Sequence, residues 1–142
     1  MTTSRASAVW EGKLRDGKGS FKAASGAFAG GYSFRTRFEG AAGTNPEELL
    51  AAAHAACLSM ALAVGLEQAG TPATRVETTA ACTIDKVGEG FKITTMDLKV
   101  RAKVPGIDQA KFQQTAEAAK NGCPVSSALK GNVQVKLDAT LE

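Results

Sequence analysis

Thr44–Leu66, with the sequence TNPEELLAAAHAACLSMALAVGL, constrains the fold most, because it is typical of one helix that is apolar on nearly every side. Pro46 suits the first helical position, and the residue before a proline avoids the α region, so Asn45 is predicted as the N-cap. Glu48 follows three residues later, as in a capping box. A helix that is apolar all round is buried. We therefore expect this helix at the centre of the fold.

The same stretch has about the minimum length of a membrane span. Much of its apolarity comes from alanine, however, and His54 lies inside it. The flanking segments have the patterns of ordinary soluble strands, and the first ten residues, MTTSRASAVW, lack the apolar segment of a signal peptide. We therefore expect a cytoplasmic protein without a membrane-spanning segment.

The composition narrows the function classes. A chain of 142 residues with 44% apolar residues is expected to form one domain, residues 1–142, with its own core. The net charge of +3 is dispersed along the sequence, so nucleic-acid binding is not indicated. Three cysteines without a CxxC pair, together with a single histidine, predict neither a disulfide framework nor a zinc site.

Strands are predicted in groups rather than in alternation with helices. Alternating and β-branched patterns between turn signals predict six strands: Ser7–Leu14, Ser20–Ala24, Tyr32–Phe38, Thr74–Asp85, Gly90–Val104 and Asn132–Leu141. Gly26–Gly31 is predicted as a loop, and two further helices are predicted at Ala110–Lys120, capped by Asp108, and at Pro124–Lys130. The order β-β-β-α-β-β-α-α-β indicates the α+β class and not a nucleotide-binding parallel sheet.

The three cysteines differ in their settings. Cys57 lies well inside the long helix, where a thiol usually behaves as a small hydrophobic group. Cys123 is followed by Pro124 and is predicted at a helix N-cap, where the dipole and free N–H groups favour a thiolate. For Cys123, a reactive thiol and a buried cap residue are equally open alternatives. Cys82 lies in a strand with no charge nearby and is expected to fill the core.

A histidine and two arginines are candidates to act on a thiol. His54 lies one turn before Cys57, but two residues on one helix rarely reach the alignment of a Cys-His pair, and a histidine satisfied at the core boundary is favoured. Arg35 and Arg37 are predicted on one face of the strand Tyr32–Phe38. An arginine beside a thiol would lower the thiol pKa; a solvated strand face is the alternative.

The run TRFEGAAGTNPEELLAAAHAACLSMAL, together with NGCPVSSAL nearer the carboxyl end, resembles the OsmC/Ohr family of osmotically induced and organic hydroperoxide resistance proteins. The resemblance extends to WEG at Trp10–Gly12, GKG at Gly17–Gly19 and VPGID at Val104–Asp108, so it covers nearly the whole chain. The residues of the TRFEG and AAHAAC segments are more similar to the OsmC branch than to the Ohr branch. The implied fold has sheets wrapped around the long helix in an intertwined two-fold dimer.

The resemblance implies a thiol peroxidase that reduces organic hydroperoxides to alcohols in defence against oxidative and osmotic stress. Cys57 matches the peroxidatic cysteine, which becomes a sulfenic acid, and Cys123 matches the resolving cysteine, which condenses with it to a disulfide. Arg37 matches the arginine that steadies the thiolate. Glu47 matches the carboxylate that holds this arginine in a bidentate pair.

The resemblance also implies partners. The substrate is expected to be an organic hydroperoxide rather than hydrogen peroxide, because the surroundings of Cys57 are apolar. The reductant is expected to be an external dithiol, commonly a lipoyl group in this family, although the sequence shows no docking signal for it. No cofactor is implied. Arg35 has no counterpart in the family pattern, and Cys82 lies outside the motifs and is expected to be dispensable.

The spacing of Glu47 and Cys57 predicts a second subunit. Ten residues of helix separate them by about 15 Å along the axis, which one arginine does not comfortably bridge. Either the helix is broken between them, or Glu47 comes from another chain. The alanine-rich, apolar helix favours the second explanation, and we expect a two-fold dimer with both active sites at its interface.

Two other functions stay open at this point. A binding module would hold a hydrophobic ligand and use its thiols only structurally. A Cys-His hydrolase would depend on Cys57 and His54. Neither alternative needs Cys123, so the occurrence of both cysteines at family positions favours the peroxidase.

Overall fold

Six strands and four helices form the fold in the computed structural model, which describes residues 1–142. In chain order they are β1 (Ala6–Glu11), β2 (Lys18–Ala23), β3 (Ala29–Tyr32), α1 (Phe34–Phe38), α2 (Pro46–Gln68), β4 (Arg75–Val87), β5 (Gly90–Lys103), α3 (Gln109–Gly122), α4 (Pro124–Leu129) and β6 (Gln134–Leu141). The α+β class is therefore confirmed. The chain divides into two units, residues 1–49 and residues 50–142, and one domain over the whole chain stays a prediction.

In the first unit, β1, β2 and β3 form an antiparallel sheet in that order. Two glycines face aromatic rings across the strands: a Cβ on Gly19 would lie 2.4 Å from the Tyr32 ring, and one on Gly30 would lie 2.9 Å from the Phe21 ring. Glycine is required there because any side chain would collide with a ring. The segment Gly26–Gly31 was predicted as a loop, but its last three residues belong to β3, so the prediction is wrong for them.

The predicted strand Tyr32–Phe38 is wrong, because its last five residues form α1. Ser33 and Thr36 start this helix with a reciprocal capping box: the Thr36 N–H donates to Ser33 Oγ over 3.2 Å, and the Ser33 N–H donates to Thr36 Oγ1 over 2.9 Å. Phe34 and Phe38 are one helical turn apart, with their ring centres separated by 5.0 Å. The element order therefore contains one helix more than predicted.

The long helix α2 begins as predicted. The side-chain oxygen of Asn45 accepts the Glu48 N–H over 2.8 Å, which makes Asn45 the N-cap, while the Glu48 carboxylate accepts from the Thr44 hydroxyl over 3.1 Å. The helix runs without interruption from Pro46 to Gln68, and Gly70 follows with a φ of +80°. A break between Glu47 and Cys57, one of the two alternatives above, is therefore absent.

In the second unit, β4, β5 and β6 form a sheet with β5 in the middle. β4 and β5 form a hairpin whose turn contains Gly88, with a φ of +61° that suits glycine. Thr94 has no partner on β4, so β5 carries a bulge. β6 pairs parallel to β5, with Val135 opposite Met96, and a parallel pair needs the long crossover that α3 and α4 supply.

The core of the second unit lies between this sheet, α3 and one stripe of α2. The stripe repeats every four residues and has no exposed surface: Leu58, Leu62 and Leu66. Alternate residues of β5 share one face of the sheet and are buried against it: Met96, Leu98, Val100 and Ala102. Phe112 of α3 completes the cluster.

The opposite face of α2 is also apolar but is open to solvent in a single chain. Met60 is 72% exposed and Val64 is 50% exposed. By length and composition alone the helix would suffice to cross a membrane, a criterion that core helices also meet. The prediction that α2 is buried on every side is therefore wrong for one chain, because the sheet of its own unit covers only one stripe.

Candidate active site

In the first unit, Arg37 and Glu47 form an ion pair. Arg37 Nη2 donates to Glu47 Oε1 over 2.7 Å, and Nε donates to Oε1 and Oε2 over 3.1 and 3.2 Å. α1 positions the arginine, and the first turn of α2 positions the carboxylate, where the helix dipole favours negative charge. Glu47 is 5% exposed, and a carboxylate so buried needs such a partner. Nη1 of Arg37 takes no part in the pair.

In the second unit, Cys57 and Cys123 lie side by side. Both are free thiols, and their Sγ atoms are 2.8 Å apart. A disulfide needs about 2.05 Å between the sulfurs, so on oxidation an approach of about 0.8 Å would be enough for the bond. Cys57 is half-buried on α2, whereas Cys123 has no exposed surface. The two cysteines that the sequence singled out are therefore neighbours in the fold.

Cys123 owes its position to the junction of two helices. Its N–H donates to the Ala119 carbonyl over 2.9 Å and closes α3, while Pro124 opens α4 at a position that needs no N–H. Cys123 is the N-cap of α4, as predicted; its side chain makes no capping hydrogen bond, but the backbone N–H groups of Val125 and Ser126 lower the pKa of its thiol.

The surroundings shift the pKa values of the two thiols in opposite directions. Burial raises the pKa of the Cys57 thiol, and the hydrogen bond with Cys123 raises it further. Burial also raises the pKa of Cys123, but its hydrogen bonds with Cys57, Ser126 and Val125 outweigh that effect, so the pKa of Cys123 lies below its usual range. The second unit alone therefore favours a thiolate on Cys123, and Cys57 would ionise readily only with a cation beside it.

His54 has no exposed surface and contacts Ser126 rather than Cys57. His54 Nε2 lies 2.7 Å from Ser126 Oγ, which links α2 to α4, and Nδ1 has no hydrogen-bond partner. This geometry does not support the Cys-His hydrolase. Ser126 was not singled out from the sequence; its place in the first turn of the predicted helix after Cys123 was the one available signal.

A groove of about 880 Å³ opens between α2 and α3 beside Cys57. Most of its lining is apolar and includes the exposed face of α2: Met60, Ala61, Val64, Ala118 and Pro124 line it together with Cys57. An apolar groove that ends at a thiol suits a ligand with a hydrocarbon chain.

The remaining candidates take no part in either pair. Arg35 is exposed on α1 and lies 3.5 Å from the Glu39 carboxylate, an exposed ion pair that contributes little to stability. Cys82 lies on β4 opposite Met96 and packs against the core of the second unit, as expected for core filler.

The burial of His54 predicts a pH dependence of stability. Burial lowers the pKa of His54 from 6.5, so the unfolded chain takes up this proton before the folded chain as the pH falls. The neutral ring makes its full contribution to the free energy of unfolding above about pH 6.5. This contribution is lost as the pH falls through the lower folded-state pKa of His54. In urea unfolding, we expect wild-type stability to fall more steeply than that of His54→Gln below pH 6.5, by up to about 1.4 kcal/mol per pH unit. Because His54 is the only histidine, parallel curves would contradict this.

An α+β fold with two neighbouring thiols, one half-buried and one buried, and an arginine held by a carboxylate defines the chain as a dithiol protein. Residues 39–138 match the family described as OsmC-like protein. The chain belongs to the OsmC family.

Relatives and solved structures agree with this membership. Peroxiredoxin OsmC of Escherichia coli (strain K12) is 50% identical over 127 residues, which cover 89% of each chain. Organic hydroperoxide resistance protein OhrB of Bacillus subtilis (strain 168) is 42% identical over 101 residues, 70% of this chain and 72% of the relative. The crystal structure of the organic hydroperoxide resistance protein OsmC from Legionella pneumophila matches with a TM-score of 0.78 at 25% identity, covering 99% of this chain and 98% of the other. The resemblance drawn from the sequence is confirmed.

Proposed function

We propose that this chain is a cysteine-based peroxidase that reduces organic hydroperoxides to alcohols in defence against oxidative and osmotic stress. The observation that carries the proposal is the pair of free sulfurs, 2.8 Å apart, beside an apolar groove. Relatives named peroxiredoxin and organic hydroperoxide resistance protein support the same reaction.

Cys57 performs the first step. Its thiolate attacks the peroxide, an S–O bond forms, the O–O bond breaks, and the alkoxide takes up a proton and leaves as the alcohol. Cys57 borders the groove whereas Cys123 has no exposed surface, so a hydroperoxide reaches Cys57 first. The groove holds a hydrocarbon tail, which hydrogen peroxide lacks.

Cys123 performs the second step. Its sulfur attacks the sulfur of the Cys57 sulfenic acid, the S–S bond forms, the S–O bond breaks, and the Cys123 proton leaves with the hydroxide as water. An external dithiol then reduces the disulfide by thiol exchange and is itself oxidised. A lipoyl-type dithiol in the cytoplasm fits this role.

The cation that Cys57 needs comes from a second subunit. Within the second unit, burial and Cys123 raise the pKa of Cys57, so a positive group must counteract them. Arg37 is held by Glu47, which lies ten residues before Cys57 on the uninterrupted helix, about 15 Å away along its axis. Arg37 and Glu47 of one subunit therefore complete the site that contains Cys57 and Cys123 of the other.

The exposed face of α2 supports the same dimer. Met60 and Val64 line the groove beside Cys57, and a two-fold partner would close over the groove as its second wall, whereas in one chain they leave an apolar face in water. A two-fold axis beside this face creates two equal sites, each with residues from both chains.

Peptide mass mapping tests the proposed reaction. Reduced protein is treated with one equivalent of an organic hydroperoxide and digested without reductant. We expect a linked Cys57–Cys123 peptide within each chain, and we expect Cys57→Ser to lose it. Cys82→Ser, which changes the thiol outside both pairs, is the matched control and should keep the linked peptide. If both thiols stayed free and the peroxide went unconsumed, the groove would instead mark a hydrophobic-ligand binding module with structural thiols.

A further inference from the structure

We propose that His54 is a positioning residue for the second step: it holds the Ser126 hydroxyl in the orientation that donates to Cys123, and so prepares this thiol to attack the Cys57 sulfenic acid. The inference rests on the proposed function, because it assigns a residue to one of its steps.

A continuous chain of polar contacts connects His54 to the sulfurs. His54 Nε2 is 2.7 Å from Ser126 Oγ, a hydrogen bond with the Ser126 side chain lowers the pKa of the Cys123 thiol, and Cys123 Sγ donates to Cys57 Sγ over 2.8 Å. His54, Cys123 and Ser126 are at most 8% exposed, so bulk water does not compete for these contacts.

The unpartnered ring nitrogen decides the direction of the hydrogen bonds. His54 Nδ1 is buried without a partner, and proteins leave a buried acceptor unpaired more readily than a buried N–H. The ring proton therefore lies on Nε2, which donates to Ser126 Oγ. The Ser126 hydroxyl has one proton to donate. Because its oxygen accepts the hydrogen bond from His54, its own proton is available to donate to the Cys123 sulfur.

This arrangement assists the developing thiolate without transferring a proton. When Cys123 attacks, its own proton leaves with the hydroxide from Cys57, and the donated hydrogen bond from Ser126 stabilises negative charge on the sulfur. His54 stays neutral, since burial lowers its pKa. Neither His54 nor Ser126 gains or loses a proton over the step.

Few other titratable or charged groups affect the pKa of Cys123. Cys57 of α2 is the titratable group in contact with it, and the N–H groups of Val125 and Ser126 face it from α4. No carboxylate, lysine or arginine contributes to the direction of its pKa. In the proposed dimer, Arg37 of the second subunit would face Cys57 and is the same in all variants below.

The test measures the second step directly. Reduced protein is mixed with one equivalent of tert-butyl hydroperoxide, and dimedone added at successive times traps the remaining sulfenic acid for mass spectrometry. For His54→Leu and Ser126→Ala, we expect the pH midpoint of disulfide formation to move up by about one pH unit. Below the midpoints the step should slow about threefold, because less thiolate is present but the thiolate is more nucleophilic. Above both midpoints it should be no slower than in the wild type.

His54→Gln and Ser127→Ala are the controls. The glutamine amide offers an N–H to Ser126 and should return the midpoint toward the wild-type value. Ser127 is the exposed neighbouring serine on α4, and its loss should leave the midpoint in place. A His54→Leu enzyme that is slower at every pH with an unmoved midpoint would show a packing role only and would overturn the inference.

A second measurement separates this inference from the proposed function. In a Cys57→Ser, Cys82→Ser background, Cys123 is the only thiol, and its ionisation is followed by the ultraviolet absorbance of the thiolate. Adding His54→Leu should move this titration upward whether or not the protein consumes peroxide. An unmoved titration would refute the positioning role. A wild-type protein that consumes no hydroperoxide would refute the proposed function instead.

Discussion

Replacing Cys57 by serine is expected to abolish hydroperoxide consumption, by at least about a thousandfold, because a serine hydroxyl does not provide the thiolate that attacks the O–O bond. Replacing Cys123 by serine should have a different effect. Without added reductant, the first equivalent is still consumed, but the oxidised Cys57 remains a sulfenic acid that dimedone traps. The measurement is the amount of hydroperoxide lost per subunit, with and without a dithiol.

Cys82→Ser is the matched control, since it removes a thiol that packs against the core and is not a member of the Cys57–Cys123 pair. It should retain turnover. Continued turnover by Cys57→Ser would contradict the assignment of the peroxidatic residue. A disulfide in Cys123→Ser that links Cys57 to Cys82 would contradict the assignment of the resolving residue.

Two inactive variants are expected to restore each other when their subunits are mixed. Cys57→Ser lacks the nucleophile, and Arg37→Ala lacks the cation of the proposed shared site. Refolded together in equal amounts, they form mixed dimers in half of the population, and each mixed dimer contains one site with both Cys57 and Arg37 intact. Activity should therefore return to about a quarter of the wild-type level.

The matched control combines Arg37→Ala with Glu47→Gln. Arg37 and Glu47 form one ion pair in one chain, so every site in the mixed dimer lacks either the arginine or the carboxylate, and mixing should restore no activity. If Cys57→Ser and Arg37→Ala also failed to restore activity, each site would lie within one chain. A monomer of full activity at low protein concentration would contradict the shared site equally.

The sequence predicted the elements whose local chemistry determines their structure. Asn45 caps α2 because the proline after it and the free N–H groups of the first turn leave little choice. The junction at Cys123 was equally evident, because a proline placed just after it cannot continue a helix. Family motifs identified Arg37 and Glu47, and the structure joins them in an ion pair.

The errors arose where distant contacts or a short cap decided the structure. The alternation over Tyr32–Phe38 predicted a strand, but the reciprocal bonds of Ser33 and Thr36 produce a helix. The glycines before it suggested a loop, although Gly30 is needed to admit the Phe21 ring from the neighbouring strand. Ser126 could not be linked to His54 from the sequence, because 72 positions separate them and only the crossover brings α4 to α2.

The parallel pairing of β6 has a consequence for the order of folding during synthesis. Cys57 leaves the ribosome early, whereas Cys123 lies in the crossover, residues 104–133, which is closed at its far end only when β6 pairs with β5. Pairing across so long a loop is slow compared with forming the β4–β5 hairpin. A nascent chain therefore has a completed hairpin and a completed helix before its two thiols meet. Cys57 and Cys123 therefore come together last, after the hairpin and the long helix have formed.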